Sequence, residues 1–179
     1  MNRIALPFLA LFMLTGLVPP AAHASGQAEG RYVTLHYTSR EHLKSFNEKL
    51  DLGRKLSGQV LAKNIVTIED EVVAKLDTVM EKVEVVLDMF PDNLRISVVL
   101  LEAEGDVSRV FAQKYGKQAS HIAYYSLSED TIYISVKDTR LAVIAHEMAH
   151  AIVDHYFTER PPYNIHELMA QFAEKHVTD

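Results

Sequence analysis

The sequence contains no cysteine. This absence excludes disulfide bonds, a cysteine nucleophile for proteolysis and attachment of a lipid through a thiol. The chain also lacks a cluster of lysines or arginines, and its formal net charge is -6 with a pI of about 5.8. Because surfaces that bind nucleic acids are usually basic, this charge balance argues against a nucleic-acid partner.

The sequence also has no internal repeat, no low-complexity tract and no recognisable linker. Its 179 residues are enough for one domain with a sizeable core, and a hydrophobic share of 48% predicts a globular chain rather than a disordered one. One α+β domain is the simplest interpretation.

An apolar run at residues 4–18 follows Arg3 and precedes a small-x-small motif at residues 22–24. This order is typical of a secretory signal peptide, here residues 1–24, with cleavage expected near Ser25. The alternative is a membrane anchor, but the run is short for a bilayer span. No second run is long enough to span a membrane, so we expect an exported protein, secreted or periplasmic, without a stable membrane anchor after cleavage.

Hydrophobic periodicity predicts strands and helices in alternation. Small polar residues at 25–30 predict a flexible leader, so we expect a leader and first strand at 25–38 and the domain proper at 39–179. The expected strands are residues 32–37, 94–101, 121–126 and 131–136, and the expected helices are residues 39–50, 67–90, 106–116, 139–157 and a final one capped by Asn164.

The stretch His146-Glu147-Met148-Ala149-His150 carries the clearest chemistry. Two histidines four residues apart lie one above the other on one helical face, so both imidazoles can reach a single Zn²⁺. Glu147 flanks this face and can take a proton from a water molecule that the zinc has made acidic, then pass it to a leaving amine. The alternative is a chance match on a solvated helix, but the apolar neighbours indicate a buried one.

A third metal ligand is needed, because a catalytic zinc usually has three protein ligands. The pattern that places a third histidine six residues after the second fails, since that position is Tyr156. Glu167, seventeen residues after His150, is the better candidate. Its alternative role is in a capping box with Asn164, where it would bond only backbone. Glu174, on the same helical face, is the reserve ligand.

His146, Glu147 and His150, followed by the Glu167-Leu168-Met169-Ala170 stretch, resemble the gluzincin metallopeptidases. In that family a glutamate on a following helix, often within Glu-x-x-Ala, completes the zinc site. The resemblance covers residues 123–175 by element order, and the chain is similar in size to the small members called minigluzincins. It implies a small zincin-like domain with one Zn²⁺, in which a mixed sheet has an edge strand beside the active-site helix, and the glutamate helix follows.

The sequence departs from the family at Gln171, where many relatives carry an acid that orients a zinc histidine. Asp154 is the candidate to replace that acid as a hydrogen-bond acceptor, and its alternative role is that of a surface acid. Gluzincins commonly stabilise the oxyanion with a tyrosine or histidine. The candidates here, each otherwise a packing or surface residue, are Tyr156, Tyr163, His166 and His176.

An extended peptide could pair with strand 131–136 if this strand has a free edge, whereas an inner strand would offer none. The leading hypothesis is an exported zinc metallopeptidase that hydrolyses peptide bonds with Glu147 as general base. A second is a zinc-binding or adaptor protein that no longer cleaves, which the small size and Gln171 favour. A third is a structural protein with an accidental motif.

Overall fold

The structure is a computed structural model that describes residues 25–179. The expected signal peptide, residues 1–24, lies outside the described residues. Within residues 25–179, no helix is both long enough and apolar enough to cross a lipid bilayer.

A five-stranded mixed sheet forms the centre of the domain, in the order β1-β2-β3-β5-β4. The three inner strands run parallel to one another, and β1 and β4 pair antiparallel at the two edges. With six helices around this sheet, the α+β class expected from the sequence is confirmed. The strands are β1 (Gly26–Glu29), β2 (Val33–Tyr37), β3 (Ile96–Leu101), β4 (Ala123–Ser126) and β5 (Thr131–Ser135).

The segment expected to be a flexible leader is part of the sheet. β1 pairs antiparallel with β2, and Gly26 lies opposite Tyr37. Between the two strands, Gly30 N donates to Val33 O at 2.8 Å and closes a tight turn. Small polar residues carry little strand propensity, so only the pairing with β2 reveals this strand. Residues on both sides of the expected boundary between 38 and 39 therefore belong to one sheet.

Local capping signals predict where α1 and α3 begin. Asp70 N donates to Thr67 Oγ1 at 3.1 Å and Thr67 N donates to Asp70 Oδ2 at 2.9 Å, which makes a capping box at the start of α3. Ser39 caps α1 by accepting from His42 N at 3.1 Å. The helices are α1 (Arg40–Lys49), α2 (Gly53–Leu61), α3 (Ile68–Leu87), α4 (Glu104–Tyr115), α5 (Leu141–Tyr156) and α6 (Tyr163–His176).

The other expected starts are wrong by one to two residues. α4 begins at Glu104 rather than at residue 106, and α5 begins at Leu141 rather than at residue 139.

α6 begins at Tyr163 rather than after a cap at Asn164. Pro162 precedes it with no side-chain cap, and its carbonyl accepts from His166 N at 3.1 Å. A proline has no N–H to satisfy, so it suits this position. The expected capping box between Asn164 and Glu167 does not form. The carboxylate of Glu167 instead faces His146 and His150 of α5.

Packing fixes α5 between the sheet and two helices. Ile144, Met148 and Ile152 are fully buried one turn apart, in one core with Ile132 and Ile134 of β5. On the opposite face of the sheet, α4 covers the hairpin of β4 and β5. Because one side of α5 is held this firmly, the side carrying the two histidines of the motif has a fixed direction.

Candidate metal centre

Two helices bring together three side chains that could hold a metal ion. His146 and His150 come from α5 and Glu167 from α6, and one ligand atom from each lies within 4.8 Å of the others. The two Nε2 atoms are 3.2 Å apart, His146 Nε2 is 3.7 Å from Glu167 Oε2, and His150 Nε2 is 3.4 Å from Glu167 Oε1. The sequence-predicted ligands are thus neighbours in the fold.

The second nitrogen of His146 faces Glu174, with 3.2 Å between Nδ1 and Oε2. A carboxylate only accepts, so this contact places the proton of a neutral His146 on Nδ1 and leaves the lone pair of Nε2 toward the centre. Glu174 thus lies at the outer nitrogen of a histidine rather than among the three convergent ligand atoms. It supplies the charged acceptor that is missing at Gln171, which is exposed. Seven residues are nearly two helical turns, so Glu174 lies on the face of Glu167.

His150 is oriented by a buried relay. Its Nδ1 lies 2.6 Å from Nδ1 of His166, whose Nε2 lies 3.0 Å from Asp154 Oδ1. Both Asp154 and His166 have side chains only 2% exposed, so Asp154 is not a surface acid. Because Asp154 accepts, His166 carries its proton on Nε2 and accepts from Nδ1–H of His150. Asp154 therefore acts on His150 through His166 rather than by direct contact.

These contacts leave the Nε2 lone pairs of His146 and His150 and the carboxylate of Glu167 pointing at one another. A cation placed between them would be coordinated by all three. Burial and the neighbouring imidazoles of His146 and His166 lower the pKa of His150 to about 3, so this ring is neutral. Two nitrogens held tetrahedrally by one Zn²⁺ at about 2.0–2.1 Å are about 3.3 Å apart, close to the 3.2 Å between the two Nε2 atoms. The donor set and its spacing therefore fit zinc.

Glu147 lies beside this centre and is almost fully buried. Its Oε2 accepts from Tyr125 N at 2.8 Å. Burial raises the pKa of its carboxyl to about 8, the bond from Tyr125 N opposes this, and the charges of Glu167 and Glu174 add to it. A carboxyl whose pKa is about 8 can both take up and release a proton near neutral pH.

A cleft of about 330 Å³ opens beside the centre, between β4 and the two ligand helices. Asp130 holds the hairpin against α5, because its Oδ1 accepts from Tyr125 Oη at 2.8 Å and lies 2.9 Å from His155 Nε2. The residues that line the cleft are His121, Ala123, Tyr124, Tyr125, His146, Glu147, His150, Arg160, Tyr163, His166 and Glu167.

The sheet edge that lies beside the cleft belongs to β4. Residues 131–136 have no free edge, because β5 pairs with β3 on one side and with β4 on the other. A peptide therefore cannot pair with this strand as expected. Ser135 N donates to Ile122 O, which turns the backbone groups of residue 122 inward. By strand alternation, those of Ala123 and Tyr125 point outward over the cleft. A hairpin seen in sequence does not reveal which of its strands joins the rest of the sheet.

Two of the four oxyanion candidates line the cleft and two do not. Tyr156 and His176 are not among the cleft residues. His166 lines it, but its two nitrogens face His150 and Asp154. Tyr163 stands at the rim, 77% exposed, where the negative charge of Glu167 raises the pKa of its phenol. Of the four, Tyr163 is the one that lines the cleft and is not part of the contacts that orient His150.

Three cleft groups were not found by sequence reasoning. His121 had no partner at ligand spacing, yet its ring lies at 4.4 Å from that of Phe111 and borders the cleft. The backbone N–H of Tyr125 binds Glu147, which no side-chain pattern can indicate. Arg160 stands in the turn between the ligand helices, and its place just before two prolines was the only available signal.

Comparison of the chain with protein-family models, with curated proteins and with solved structures yields no match.

Proposed function

We propose that the chain is a zinc-dependent peptidase with a small zincin-like domain of the gluzincin type. The observation that carries the proposal is the convergence of His146, His150 and Glu167 from two helices, beside buried Glu147 and below a free sheet edge. A metal site of this composition next to a general base is typical of metal-assisted hydrolysis.

The metal would be held by Nε2 of His146, Nε2 of His150 and the carboxylate of Glu167. A bound Zn²⁺ supplies Lewis acidity, which lowers the pKa of water and polarises a carbonyl oxygen. The chain's own contribution is to keep both imidazoles in the ligand tautomer. Glu174 does this for His146, and the relay through His166 and Asp154 does it for His150.

Glu147 is the proposed general base. The bond from Tyr125 N fixes its Oε2, and within residues 25–179 its Oε1 makes no hydrogen bond. This oxygen can take a proton from the attacking water and deliver it to the leaving amine. Burial supports the role, since it makes the carboxylate a stronger base than an exposed glutamate.

The proposed substrate is a peptide that lies extended along β4. The outward N–H and C=O of Ala123 and the outward C=O of Tyr125 can pair with its backbone. The N–H of Tyr125 already binds Glu147, so a peptide paired with this edge runs past the base. Such pairing recognises main chain rather than side chains, which suits a peptide-bond hydrolase.

The test is a comparison of Glu147→Gln and Glu147→Ala with the parent chain, with exposed Glu159→Gln as control. Zinc is quantified after purification without chelator, and cleavage of a peptide library is followed by mass spectrometry. We expect one zinc per chain in all proteins and cleavage only in the parent and the control. Undiminished cleavage by both Glu147 variants would contradict the proposal. One zinc per chain without cleavage of any peptide by the parent would favour the non-cleaving zinc-binding or adaptor protein.

Export is the second part of the proposal and rests on residues 1–24 alone. We expect the mature chain to begin near Ser25. The intact mass of the protein recovered outside the cytoplasm tests this, and retention of residues 1–24 in that protein would contradict it.

A further inference from the structure

Arg160 is the only lysine or arginine among the described residues that line the cleft. It stands between α5 and α6, directly before Pro161 and Pro162, which restrict the backbone of the turn. Its Nε lies 2.9 Å from Asp154 Oδ1 in an ion pair. The side chain of Asp154 is 2% exposed and that of Arg160 is 54% exposed. A buried carboxylate thus holds one edge of the guanidinium, and the rest opens to the cleft.

The open edge is suited to bind a carboxylate. Within residues 25–179 the guanidinium makes no hydrogen bond or ion pair other than that with Asp154, so the N–H groups of Nη1 and Nη2 have no protein acceptor. A guanidinium presents such groups as a planar fork that matches the two oxygens of a carboxylate. Because the ion pair with Asp154 already restrains the side chain, less side-chain entropy is lost when the fork binds a partner.

The surrounding charge makes Arg160 selective. The other ionisable groups of the cleft include Glu147 and Glu167, both acidic, and Glu174 lies behind His146. Apart from a bound metal ion, Arg160 is thus the group of the described cleft that attracts a substrate carboxylate, and Glu167 would repel it. The contacts from Arg160 through Asp154 and His166 to His150, of 2.9, 3.0 and 2.6 Å, keep this position close to the metal centre.

We infer that Arg160 determines specificity by binding a carboxylate of the peptide substrate near the scissile bond. The carboxylate is either the free C-terminus of the peptide or the side chain of an aspartate or glutamate. This inference rests on the proposed function, because it assumes that the cleft accepts peptides.

The test uses N-acetylated hexapeptides of one sequence that differ only in carboxylates. One arm compares a free C-terminal carboxylate with a carboxamide, and the other compares glutamate with glutamine at each internal position. Binding to the zinc-loaded Glu147→Gln protein is measured by calorimetry, and cleavage by the otherwise unchanged chain by mass spectrometry. Both are repeated with Arg160→Gln, with Arg160→Lys and with Arg109→Gln. Arg109 is the matched control, an exposed arginine paired with Asp106 at 2.8 Å outside the cleft.

We expect one carboxylate peptide to bind roughly 10- to 100-fold more tightly than its neutral partner, as a charge-assisted pair would give. Arg160→Gln should abolish this preference, Arg160→Lys should retain only part of it, and Arg109→Gln should leave it unchanged. The arm that shows the preference identifies the source of the carboxylate. If Arg160→Gln does not fold, as judged by its thermal melt, Arg160→Lys decides.

Equal binding of both members of every pair, or a preference that survives Arg160→Gln, would overturn the inference. Cleavage without any carboxylate preference would overturn it while the proposed function stands. Carboxylate-dependent binding that Arg160→Gln abolishes, without cleavage of any peptide by the parent chain, would leave the inference standing and remove the proposed function.

Discussion

The partners of the outer nitrogens of the two histidines determine which nitrogen of each ring is available to the centre. Glu174 faces Nδ1 of His146 with a carboxylate, and Nδ1 of His150 faces His166, behind which Asp154 lies buried. Each acceptor fixes the tautomer that offers Nε2 as a ligand. Glu174 and His166 lie on α6, whereas the two histidines lie on α5. The sequence could therefore suggest Asp154 as an acceptor but could not show that it acts through His166.

Removing the acceptor of His146 should weaken metal binding. We expect Glu174→Ala to lower zinc affinity by roughly 10- to 100-fold, because the imidazole loses both its orientation and its charged partner. Competition with a chelator of known affinity measures the change. Gln171→Ala on the same helix is the control and should bind zinc as the parent does, since Gln171 is exposed. Equal affinities of the two variants would contradict the role of Glu174.

Tyr163 should affect turnover rather than metal binding. Tyr163 lines the cleft, and loss of an oxyanion donor typically lowers kcat by about 100- to 1,000-fold. We expect Tyr163→Phe to show this loss with unchanged zinc content. Tyr156→Phe, outside the cleft, should keep the parent kcat. A Tyr163→Phe protein with the parent's kcat would show that another group stabilises the oxyanion.

At the scale of elements, the parts of the site differ in how far local sequence determines them. The helix of His146 and His150 was predictable because its spacing and its apolar face are local. The order of strands was not, because the pairing of β5 with β3 joins residues far apart in sequence. For the same reason the edge role passed to β4, and residues 26–29 became a strand only through their partner β2.

Close packing of α6 on α5 should be necessary to keep Glu167 near the histidines. Ala170 is fully buried one turn after Glu167, so Ala170→Leu should overpack this contact and destabilise the fold by about 1–3 kcal/mol. Zinc affinity should fall with it. Urea unfolding measures the stability. Leu168→Ala is the matched control on the same helix, since Leu168 is 62% exposed and its loss should cost less than about 0.5 kcal/mol. Equal stability of both variants would contradict the packing account.

At the scale of the whole molecule, α3 joins the N-terminal strands to the core. Asp77 accepts from Arg31 N at 2.8 Å and from Tyr32 N at 3.0 Å, and Glu84 accepts from Tyr32 Oη at 2.9 Å. Both acids are buried. The periodicity of residues 67–90 predicted this helix, but it assigned the apolar side chains to the core and gave no sign that two acids are buried among them.

Glu84 should make folding stability depend on pH. Burial raises the pKa of its carboxyl above the ordinary value, although the bond from Tyr32 opposes this. When the pKa of a group is higher in the folded than in the unfolded state, its contribution to stability is complete below the unfolded-state pKa. This contribution is lost as the pH rises through the folded-state pKa. Glu84→Gln keeps an acceptor for Tyr32 without this titration, so its stability relative to the parent should increase from pH 4 to pH 8. Urea unfolding at both values measures it, and a constant or decreasing difference would contradict the account.

The most direct test of the central claim is anomalous diffraction at the zinc edge from crystals of the zinc-loaded chain. The account predicts one peak per chain, at about 2.0–2.1 Å from Nε2 of His146 and of His150 and at about 2.0–2.2 Å from a carboxylate oxygen of Glu167. The absence of a peak between these residues, or a zinc ion that Glu167 does not contact, would contradict it.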